Sequence, residues 1–498
     1  MVQVRNYRLS KSRFIAGLQC TLRLWNSIHR PKLASKPDER QQAIFDTGHA
    51  IGELARERYP GGALIEADHR QTDTALVQTD SLMRKHELPA LFEPAIQHNN
   101  VLTRVDVLAR AGEQWDLVEV KASTRAKEVF QFDVAVQYWI LKGAGIPVRT
   151  AGLLLLNRDY VYPGGAYDLG ELFQFEDLTE FCQNEFDAVE RWIDHFHHIA
   201  SSSTAPDVDI GPHCHTPYTC PFWAHCSQGK RTPDNPIDLL PNLRDGLREA
   251  LLERGVESIE AIPDDVRLSE IQERVRQATV EGKPWLSPKL LAALENVEWP
   301  LHFLDFEAAM VALPMYTGMR PFDALPFQFS CHTQRAPGEA PIHQEFLATA
   351  PSADPRQELA EHLIQTLGQN GSIVVYSGYE GRTIRELAKA LSQLAPTLLS
   401  LQPRIVDLLA ILRRHYYHPG FRGSYSIKQV LPTLVPEMSY AGMAIADGEA
   451  AGRGWLQMLA SKDPTERDRL ESSLRAYCQQ DSLAMFHLRE ALLREATA

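Results

Sequence analysis

The stretch V-L-T-R-V-D-V-L-A-R-A-G-E-Q-W-D-L-V-E-V-K-A, residues 101–122, decides the fold of the first half of this chain. Two runs rich in β-branched and apolar residues flank a turn at Gly112, which predicts a β-hairpin. Side chains alternate along a strand, so Asp106 lies on a largely apolar strand and Glu119 and Lys121 share a face. Pairing of the two strands would bring these three side chains together.

The acids and the lysine of this hairpin suit metal-dependent hydrolysis. Asp106 and Glu119 offer the oxygen ligands that Mg²⁺ and Mn²⁺ prefer, and Lys121 would orient or polarise the attacking water. Glu93, in the preceding run F-E-P-A-I, is a candidate third acid and metal ligand. The alternative interpretation is a salt bridge between neighbouring strands.

Four cysteines flank the hairpin in sequence. Cys20 lies in G-L-Q-C-T-L-R-L-W, and Cys214, Cys220 and Cys226 follow at equal spacing in H-C-H-T-P-Y-T-C-P-F-W-A-H-C. Four thiolates at such positions predict a metal centre that joins the two ends of a domain. A zinc site is the alternative, although zinc sites more often use cysteine pairs about two to four residues apart. The remaining cysteines are predicted to be buried small apolar residues: Cys182, Cys331 and Cys478.

The region from about residue 10 to residue 227 resembles the PD-(D/E)xK nucleases of the RecB type, in particular the iron–sulfur branch that includes CRISPR-adaptation exonucleases and AddB-type helicase–nucleases. The resemblance implies a restriction-endonuclease-like fold in which Asp106, Glu119 and Lys121 are catalytic. It also implies a [4Fe–4S] cluster on the four cysteines, which pins the N-terminal helix to the end of the domain. Asp133 and Gln137, in F-D-V-A-V-Q-Y-W, match a helix motif whose Gln usually contacts substrate.

One family position differs in this chain. Related enzymes carry a His in a G-x-x-x-H helix motif, but the pattern that starts at Gly48 places Gly52 there. His49 is nearby but out of register. The departure puts one metal ligand, and with it the nuclease activity of this region, in doubt.

A second set of acids begins in L-H-F-L-D-F-E-A at residues 301–308. Asp305 and Glu307 are two residues apart on a predicted strand and therefore face the same way. Tyr477 and Asp481 have i, i+4 spacing, which places both on one face of a predicted helix.

These segments resemble the first and third motifs, D-x-E and Y-x-x-x-D, of DEDD exonucleases with an RNase H-like fold. The resemblance implies that Asp305, Glu307 and Asp481 bind two divalent ions and that Tyr477 positions the nucleophilic water. Glu380 stands where such enzymes usually have a second-motif Asp, with Asp407 as the alternative.

The region also resembles a bacterial family of unknown function that is fused to RecB-like domains. One recognisable segment, Y-Y-H-P-G-F-R-G-S-Y-S-I-K-Q-V-L-P, is dense in aromatic and basic residues that could stack on bases and contact phosphates. An internally bonded, packed loop is the alternative. The candidate substrate contacts in this segment are His418, Ser424, Tyr425 and Lys428.

With 498 residues, 44% hydrophobic and 23% charged, the chain is expected to be a soluble α/β protein of several domains. The predicted division is a RecB-like domain over 1–227, a helical connector over 228–298 and an RNase H-like domain over 299–498. The sequence has no apolar run long enough for a bilayer and no signal-peptide core, and the cysteines indicate reduced thiols, so a cytoplasmic protein without a membrane partner is expected.

These patterns together predict a metal-dependent DNA exonuclease that acts on single-stranded or end-containing DNA in repair, recombination or defence. The net charge of −13 counts against a protein that coats nucleic acid, but not against a nuclease. No helicase P-loop is present, so unwinding would need a separate helicase. The alternatives are a nucleic-acid-binding scaffold with one or both sites inactive, and an RNA-processing exonuclease.

Overall fold

A computed structural model describes residues 7–68, 70–229, 233–350 and 353–497. The chain is a mixed α/β protein, as expected from the sequence. It divides into two compact units. Unit 1 comprises Met1–Lys230 with Ala312–Asp323, and unit 2 comprises Arg231–Val311 with Ala324–Ala498.

Unit 1 contains five consecutive strands, with helices before and after them. Its strands are β1 (Leu9–Ser10), β2 (Ala63–Leu64), β3 (Ala90–Phe92), β4 (Ala95–His98), β5 (Val101–Arg104), β6 (Val107–Ala111), β7 (Gln114–Lys121), β8 (Val148–Leu156) and β9 (Phe173–Asp177). Its helices are α1 (Lys11–Gln19), α2 (Thr21–His29), α3 (Glu39–Arg56), α4 (Thr72–Met83), α5 (Glu128–Gly143), α6 (Leu169–Leu172), α7 (Thr179–Asn184), α8 (Phe186–Ser201) and α9 (Trp223–Cys226).

The larger sheet of unit 1 has the order β2-β3-β6-β7-β8-β9. The predicted hairpin is confirmed, because β6 pairs antiparallel with β7 across a turn in which Gly112 has φ 64°, a conformation that favours glycine. After α5, strand β8 returns parallel to β7, and its apolar run from Ala151 to Leu156 is buried on both faces. This arrangement places the end of β7 in the interior of the sheet.

The prediction of one continuous strand over 101–109 is wrong. β5 pairs with β1 and β4 in a three-stranded sheet, whereas β6 belongs to the larger sheet. The chain changes sheets at Val105 and Asp106, so Asp106 lies at a break and not within a strand. The run F-E-P-A-I contains a similar break at Glu93, which has φ 56° between β3 and β4.

Unit 2 is built around a second sheet. Its strands are β10 (Trp285–Leu286), β11 (Leu301–Met310), β12 (Ala324–Gln334), β13 (Ile342–Leu347), β14 (Ser372–Val375), β15 (Ile405–Asp407) and β16 (Tyr416–Tyr417). Its helices are α10 (Asp245–Glu253), α11 (Glu270–Glu281), α12 (Leu290–Glu295), α13 (Pro355–Leu367), α14 (Tyr379–Ala390), α15 (Ala395–Ser400), α16 (Leu408–His415), α17 (Ile427–Leu434), α18 (Gly448–Ala460) and α19 (Pro464–Thr497).

The main sheet of unit 2 has the order β13-β12-β11-β14-β15. β12 is antiparallel to both β11 and β13, while β14 is parallel to β11 and to β15. The central strand β11 therefore has partners on both edges and is buried along most of its length. The register of β11 with β12 shifts between Glu307 and Ala308, which is a bulge beside the predicted acids.

The predicted connector over 228–298 packs into unit 2. Ile259 and Val275 from this region share one apolar cluster with Phe303 of β11 and Tyr416 of β16. The end of the predicted connector at residue 298 therefore does not coincide with a boundary between the two units. Within the described ranges, no helix combines the length and the apolar character needed to cross a bilayer.

Candidate active sites and cysteine cluster

The three polar residues of the hairpin in unit 1 lie together, as the strand pairing predicted. Asp106 accepts a hydrogen bond through Oδ2 from the backbone N–H of Val120 at 2.7 Å. The Nζ of Lys121 donates to Oε1 of Glu119 at 2.7 Å. The bond to the backbone of β7 turns the carboxylate of Asp106 towards Glu119, although Asp106 precedes β6.

Three further side chains complete this cluster. Asp133 on α5 accepts from Lys121 Nζ at 2.5 Å, and Lys11 on α1 donates to Glu119 Oε1 at 2.7 Å. Gln137 donates to Glu119 Oε2 at 2.7 Å. We refer to Lys11, Asp106, Glu119, Lys121 and Asp133 as the unit 1 cluster.

Gln137 has a different surrounding from the one that the family resemblance implied. Its side chain is fully buried, its carbonyl accepts from the hydroxyl of Thr103 at 3.1 Å and its amide donates to Glu119. The amide therefore orients the carboxylate from behind and offers no surface to a substrate in this conformation. The helix that carries Gln137 was predicted correctly.

The unit 1 cluster combines one carboxylate with a raised pKa, Asp106, and one with a lowered pKa, Glu119. Burial, reinforced by repulsion from Glu119, raises the pKa of Asp106 to about 7. Burial also acts to raise the pKa of Glu119, but the ammonium groups of Lys11 and Lys121 outweigh it and hold that pKa well below its ordinary value. A divalent cation could replace the proton that Asp106 retains near neutral pH.

Glu93 and His49, the other candidate ligands of unit 1, have separate surroundings. Glu93 Oε1 pairs with Arg56 at 3.3 Å, and its side chain is one-third exposed. The backbone N–H of Glu93 donates to the carbonyl oxygen of Asp106 at 3.3 Å, so the residue borders the cluster through its main chain. His49 is exposed on α3.

The four predicted cysteine ligands line one small cavity of about 20 Å³ in unit 1. Cys20 lies at the junction of α1 and α2, and its sulfur accepts from the backbone N–H of Arg23 at 3.4 Å. Cys214 and Cys220 are joined by a backbone hydrogen bond of 2.7 Å between the N–H of Cys220 and the carbonyl of Cys214. Cys226 ends α9 and completes the lining.

The N-terminal helix is fastened to the cysteine loop. The side-chain amide of Gln19 donates to the carbonyl oxygens of His213 and Tyr218, at 2.6 and 2.8 Å. Burial raises the pKa of Cys220, and the guanidinium of Arg23 opposes this rise. At Cys220, therefore, Arg23 acts against the effect of burial and towards the thiolate.

In unit 2, acids from three elements converge on strand β11. Asp305 and Glu307 lie on β11, Glu380 lies in the first turn of α14, and Asp481 lies on α19. Ligand atoms of Asp305, Glu307 and Cys478 are within 4.8 Å of one another. We refer to Asp305, Glu307, Glu380 and Asp481 as the unit 2 acids.

The unit 2 acids lie close enough to repel one another, and their negative charge is poorly compensated. Burial first, and then repulsion from Asp481, raise the pKa values of Asp305 and Glu307 well above the ordinary range. Burial also raises the pKa of Glu380 to about 8 and that of Asp481 to about 6. Glu380 Oε2 is buried and finds no hydrogen-bond partner among the residues that the structure describes.

Asp407, the alternative to Glu380, serves a local structural purpose. Its Oδ1 accepts from the backbone N–H of Ala410 at 3.0 Å, so it caps the amino end of α16. Its charge contributes to the raised pKa of Glu380. The geometry thus agrees with the preference for Glu380 as the second-motif acid.

Tyrosines and a lysine border the unit 2 acids. Tyr477 is buried and hydrogen-bonded to Asp481, and the hydroxyl of Tyr440 donates to Asp481 Oδ1 at 2.5 Å. The Nζ of Lys428 lies 5.4 Å from the ring centroid of Tyr477 and 5.7 Å from that of Tyr440. The charge of Lys428 acts to lower the pKa values of Asp481 and Glu307.

Sequence reasoning missed two residues of this site. Cys478 was predicted to be an ordinary buried apolar residue, and it is buried, but its sulfur lies 3.5 Å from Asp305 Oδ2. Its position directly after Tyr477 in the Y-x-x-x-D pattern was an available signal. Tyr440 lies 41 residues before Asp481, and no spacing rule would have joined the two.

The other candidate substrate contacts differ in their surroundings. His418 Nδ1 accepts from the backbone N–H of Gly420 at 2.9 Å, which commits that atom to a local turn. Ser424 and Tyr425 line an open pocket of about 690 Å³ together with Arg413, and most of the Tyr425 side chain is buried. The aromatic and basic segment thus includes both packed residues and residues at a pocket.

A family model described as a domain of unknown function, DUF2779, matches residues 302–426, about a quarter of the chain. The matched segment includes Asp305, Glu307 and Glu380 and ends before Asp481. No curated protein matches this chain.

Proposed function

We propose that this chain is a metal-dependent nuclease that hydrolyses phosphodiester bonds at DNA ends or in single-stranded DNA, with a catalytic site in unit 2. The observation that carries the proposal is the set of buried or half-buried, mutually repelling acids around β11. Buried carboxylates are unfavourable unless protons or cations compensate them. The four carboxylates, with an unpaired Glu380 Oε2 among the described residues, offer the oxygen ligands that Mg²⁺ or Mn²⁺ prefers, and the neighbouring Cys478 need not be a ligand.

The proposed fold of unit 2 is RNase H-like. The sheet order β13-β12-β11-β14-β15, with β12 antiparallel to its neighbours, is the order expected of that fold and supports the proposal. The acids occupy the central strand and helices packed against it. The match to a domain of unknown function assigns no activity, so the proposal stands on the site.

Divalent ions held by Asp305, Glu307, Glu380 and Asp481 would polarise the phosphate and activate water. The chain's own residues have complementary tasks. Tyr477 and Tyr440 donate hydrogen bonds that keep Asp481 ionised and fixed in orientation. Lys428, whose ammonium faces the same rings, would contact a phosphate oxygen of the strand.

The proposed fold of unit 1 is that of the PD-(D/E)xK nucleases. The β6–β7 hairpin, the following helix α5 and the parallel return of β8 support it, as does the convergence of Asp106, Glu119 and Lys121. Asp106 and Glu119 would hold a divalent ion, and Lys121 would orient water towards the phosphate. Asp133 and Gln137 keep Lys121 and Glu119 in place.

The cysteine cavity of unit 1 is proposed to hold a [4Fe–4S] cluster. The donor set is of the required kind, because four cysteines from distant segments line one cavity whose lining also includes Arg23. Cys20 would join the first two helices to the loop that carries Cys214, Cys220 and Cys226. Zinc on the same thiolates is the competing assignment, and metal analysis of the purified protein decides between them.

The test is cleavage of end-labelled single-stranded DNA in Mn²⁺ by anaerobically purified protein. Asp305→Asn and Lys121→Ala each remove one proposed site, and Glu339→Gln and Lys142→Ala are matched controls at exposed positions. Loss of cleavage in Asp305→Asn alone assigns catalysis to unit 2, and loss in Lys121→Ala alone assigns it to unit 1. Partial loss in each indicates two working sites.

A matched RNA strand tests the choice of substrate. Preferential cleavage of RNA would replace the DNA assignment with an RNA-processing exonuclease. Binding of either strand without cleavage in Mn²⁺ would reject the enzyme and favour a nucleic-acid-binding scaffold. Cleavage of duplex DNA only after a helicase has unwound it would support a separate helicase as partner.

A further inference from the structure

Lys11 is an unexpected member of the unit 1 cluster. It comes from the first turn of α1, 108 residues before Glu119, and its Nζ lies 2.7 Å from Glu119 Oε1. Lys121 Nζ lies at the same distance from the same oxygen. The D…E-x-K motif accounts for one lysine, so the second requires a separate explanation.

The position of Lys11 is held by charge. Only about one-fifth of its side chain is exposed, and burial acts to lower the pKa of a lysine. The carboxylates of Asp133, Glu119 and Asp106 outweigh this effect, so the pKa of Lys11 lies well above its ordinary value. A surface lysine normally extends its ammonium into water, whereas this ammonium is directed into an acid cluster.

The charges of the cluster indicate a use for the second cation. Three carboxylates and two ammonium groups sum to −1 when Asp106 is ionised. A divalent cation changes the sum to +1, which complements the single negative charge of one phosphodiester. Without Lys11 the metal-loaded cluster would be neutral and would attract a strand less strongly.

We propose that Lys11 is a second cationic residue of the unit 1 site, which neutralises Glu119 before metal binds and contacts a phosphate of the nucleic-acid strand afterwards. This inference rests on the proposed metal and nuclease role of unit 1. Because Lys11 and the metal compete for Glu119 Oε1, metal binding would release the ammonium towards the strand. The same residue would therefore weaken metal binding and strengthen strand binding.

The helix that carries Lys11 also reaches the cysteine cavity. α1 begins at Lys11 and ends at Gln19, immediately before Cys20, so it spans about 14 Å at 1.5 Å per residue. Gln19 is bonded to the cysteine loop, and Gly17 packs against the ring of Phe196 so closely that a Cβ would lie 2.7 Å from a ring carbon. The carboxyl end of α1 is thus fixed, and the rigid helix limits the positions that Lys11 can take at its other end.

The test compares Lys11→Met, Lys11→Arg and the charge-matched control Lys142→Met, all with Asp305→Asn, so that Mn²⁺ bound at the remaining unit 2 acids contributes equally to each variant and the differences report on unit 1. Calorimetry measures Mn²⁺ affinity without nucleic acid, and retention assays in Ca²⁺ measure affinity for a labelled oligothymidylate at several salt concentrations. We expect Lys11→Met to bind Mn²⁺ more tightly and the strand about tenfold more weakly, with a salt slope smaller by about 0.7. Lys11→Arg should restore most of the strand affinity.

A merely structural lysine would give a different pattern. Weaker binding of both Mn²⁺ and strand by Lys11→Met, or affinities equal to those of Lys142→Met, would overturn the assignment. Thermal melting and the visible absorption of the purified variants show whether unit 1 has kept its fold and its centre. Asp106→Asn separates the two proposals. If Asp106→Asn leaves both affinities unchanged, the unit 1 metal site and the role of Lys11 fail together. If Asp106→Asn weakens binding and Lys11→Met does not, only the role of Lys11 fails.

Discussion

Replacing Glu380 by Gln should stabilise unit 2 in the absence of metal, and much more at pH 8.5 than at pH 5. Burial raises the pKa of this carboxyl from its ordinary 4.5 to about 8. Between these two values the unfolded chain has lost the proton that the folded chain still holds. The free energy of unfolding therefore falls as pH rises through this window and levels off above about pH 8. Glutamine mimics the neutral acid and removes the part of the pH dependence that comes from Glu380.

The size of the effect follows from the shift of the pKa. A difference of about 3.5 pKa units at about 1.36 kcal/mol per unit sets an upper value of about 4.6 kcal/mol at pH 8.5. The same relation gives about 0.8 kcal/mol at pH 5. Relaxation of the site reduces both values. The unpaired Glu380 Oε2 adds to the gain, because an amide nitrogen there could donate to the neighbouring carboxylates.

Hydrogen exchange of the slowest amides in β11 and β14 measures this stability for unit 2 alone, in protein freed of metal by a chelator. Glu386→Gln is the control, because Glu386 lies on the same helix and is exposed in a pair with Lys389. A gain for Glu380→Gln that is equal at pH 5 and pH 8.5, or absent at both, would refute the electrostatic account. Addition of Mn²⁺ should cancel the advantage, since the metal stabilises the ionised wild-type carboxylate.

Two further changes test other parts of the molecule. Cys20→Ser should abolish the visible absorption of the proposed cluster and lower the melting temperature of unit 1. Cys182→Ser, at a buried cysteine outside the cavity, should retain the absorption. An unchanged spectrum in Cys20→Ser would reject Cys20 as a ligand. Tyr440→Phe removes the hydrogen bond to Asp481, which should raise the pKa of that carboxyl above about 6 and weaken Mn²⁺ binding about tenfold at pH 6. Calorimetry should show a smaller loss at pH 8, and an equal loss at both pH values would contradict this cause.

Features with short-range signals could be predicted from the sequence. The hairpin follows from alternation around Gly112, and the pairing of Tyr477 with Asp481 follows from their separation by one helical turn. The convergence of Asp106 with Glu119 was predicted even though the strand assignment was wrong, because the chain crosses between sheets at Asp106 and still returns along β7. Asp106 and Glu119 therefore stay close even though the strand before Asp106 is interrupted.

Contacts between distant segments could not be predicted. Lys11 reaches Glu119 across 108 residues and Tyr440 reaches Asp481 across 41, and no periodicity relates either pair. The burial of Gln137 could not be predicted either. Its place on an apolar helix agreed equally with a substrate contact and with a hydrogen bond to Glu119. In each case the partner is set by how sheets and helices pack, which a single sequence does not encode locally.

The two carboxylate sites differ in how their negative charge is compensated, and the difference bears on what each can do. The unit 1 cluster contains its own cations, so Glu119 stays ionised without metal, and a metal would have to displace an ammonium group from it. The unit 2 acids depend on retained protons instead, and Lys428 acts on them across the rings of Tyr440 and Tyr477. Metal binding at unit 2 would therefore release protons and strengthen steeply with pH, whereas metal binding at unit 1 would exchange one cation for another and release mainly the proton of Asp106.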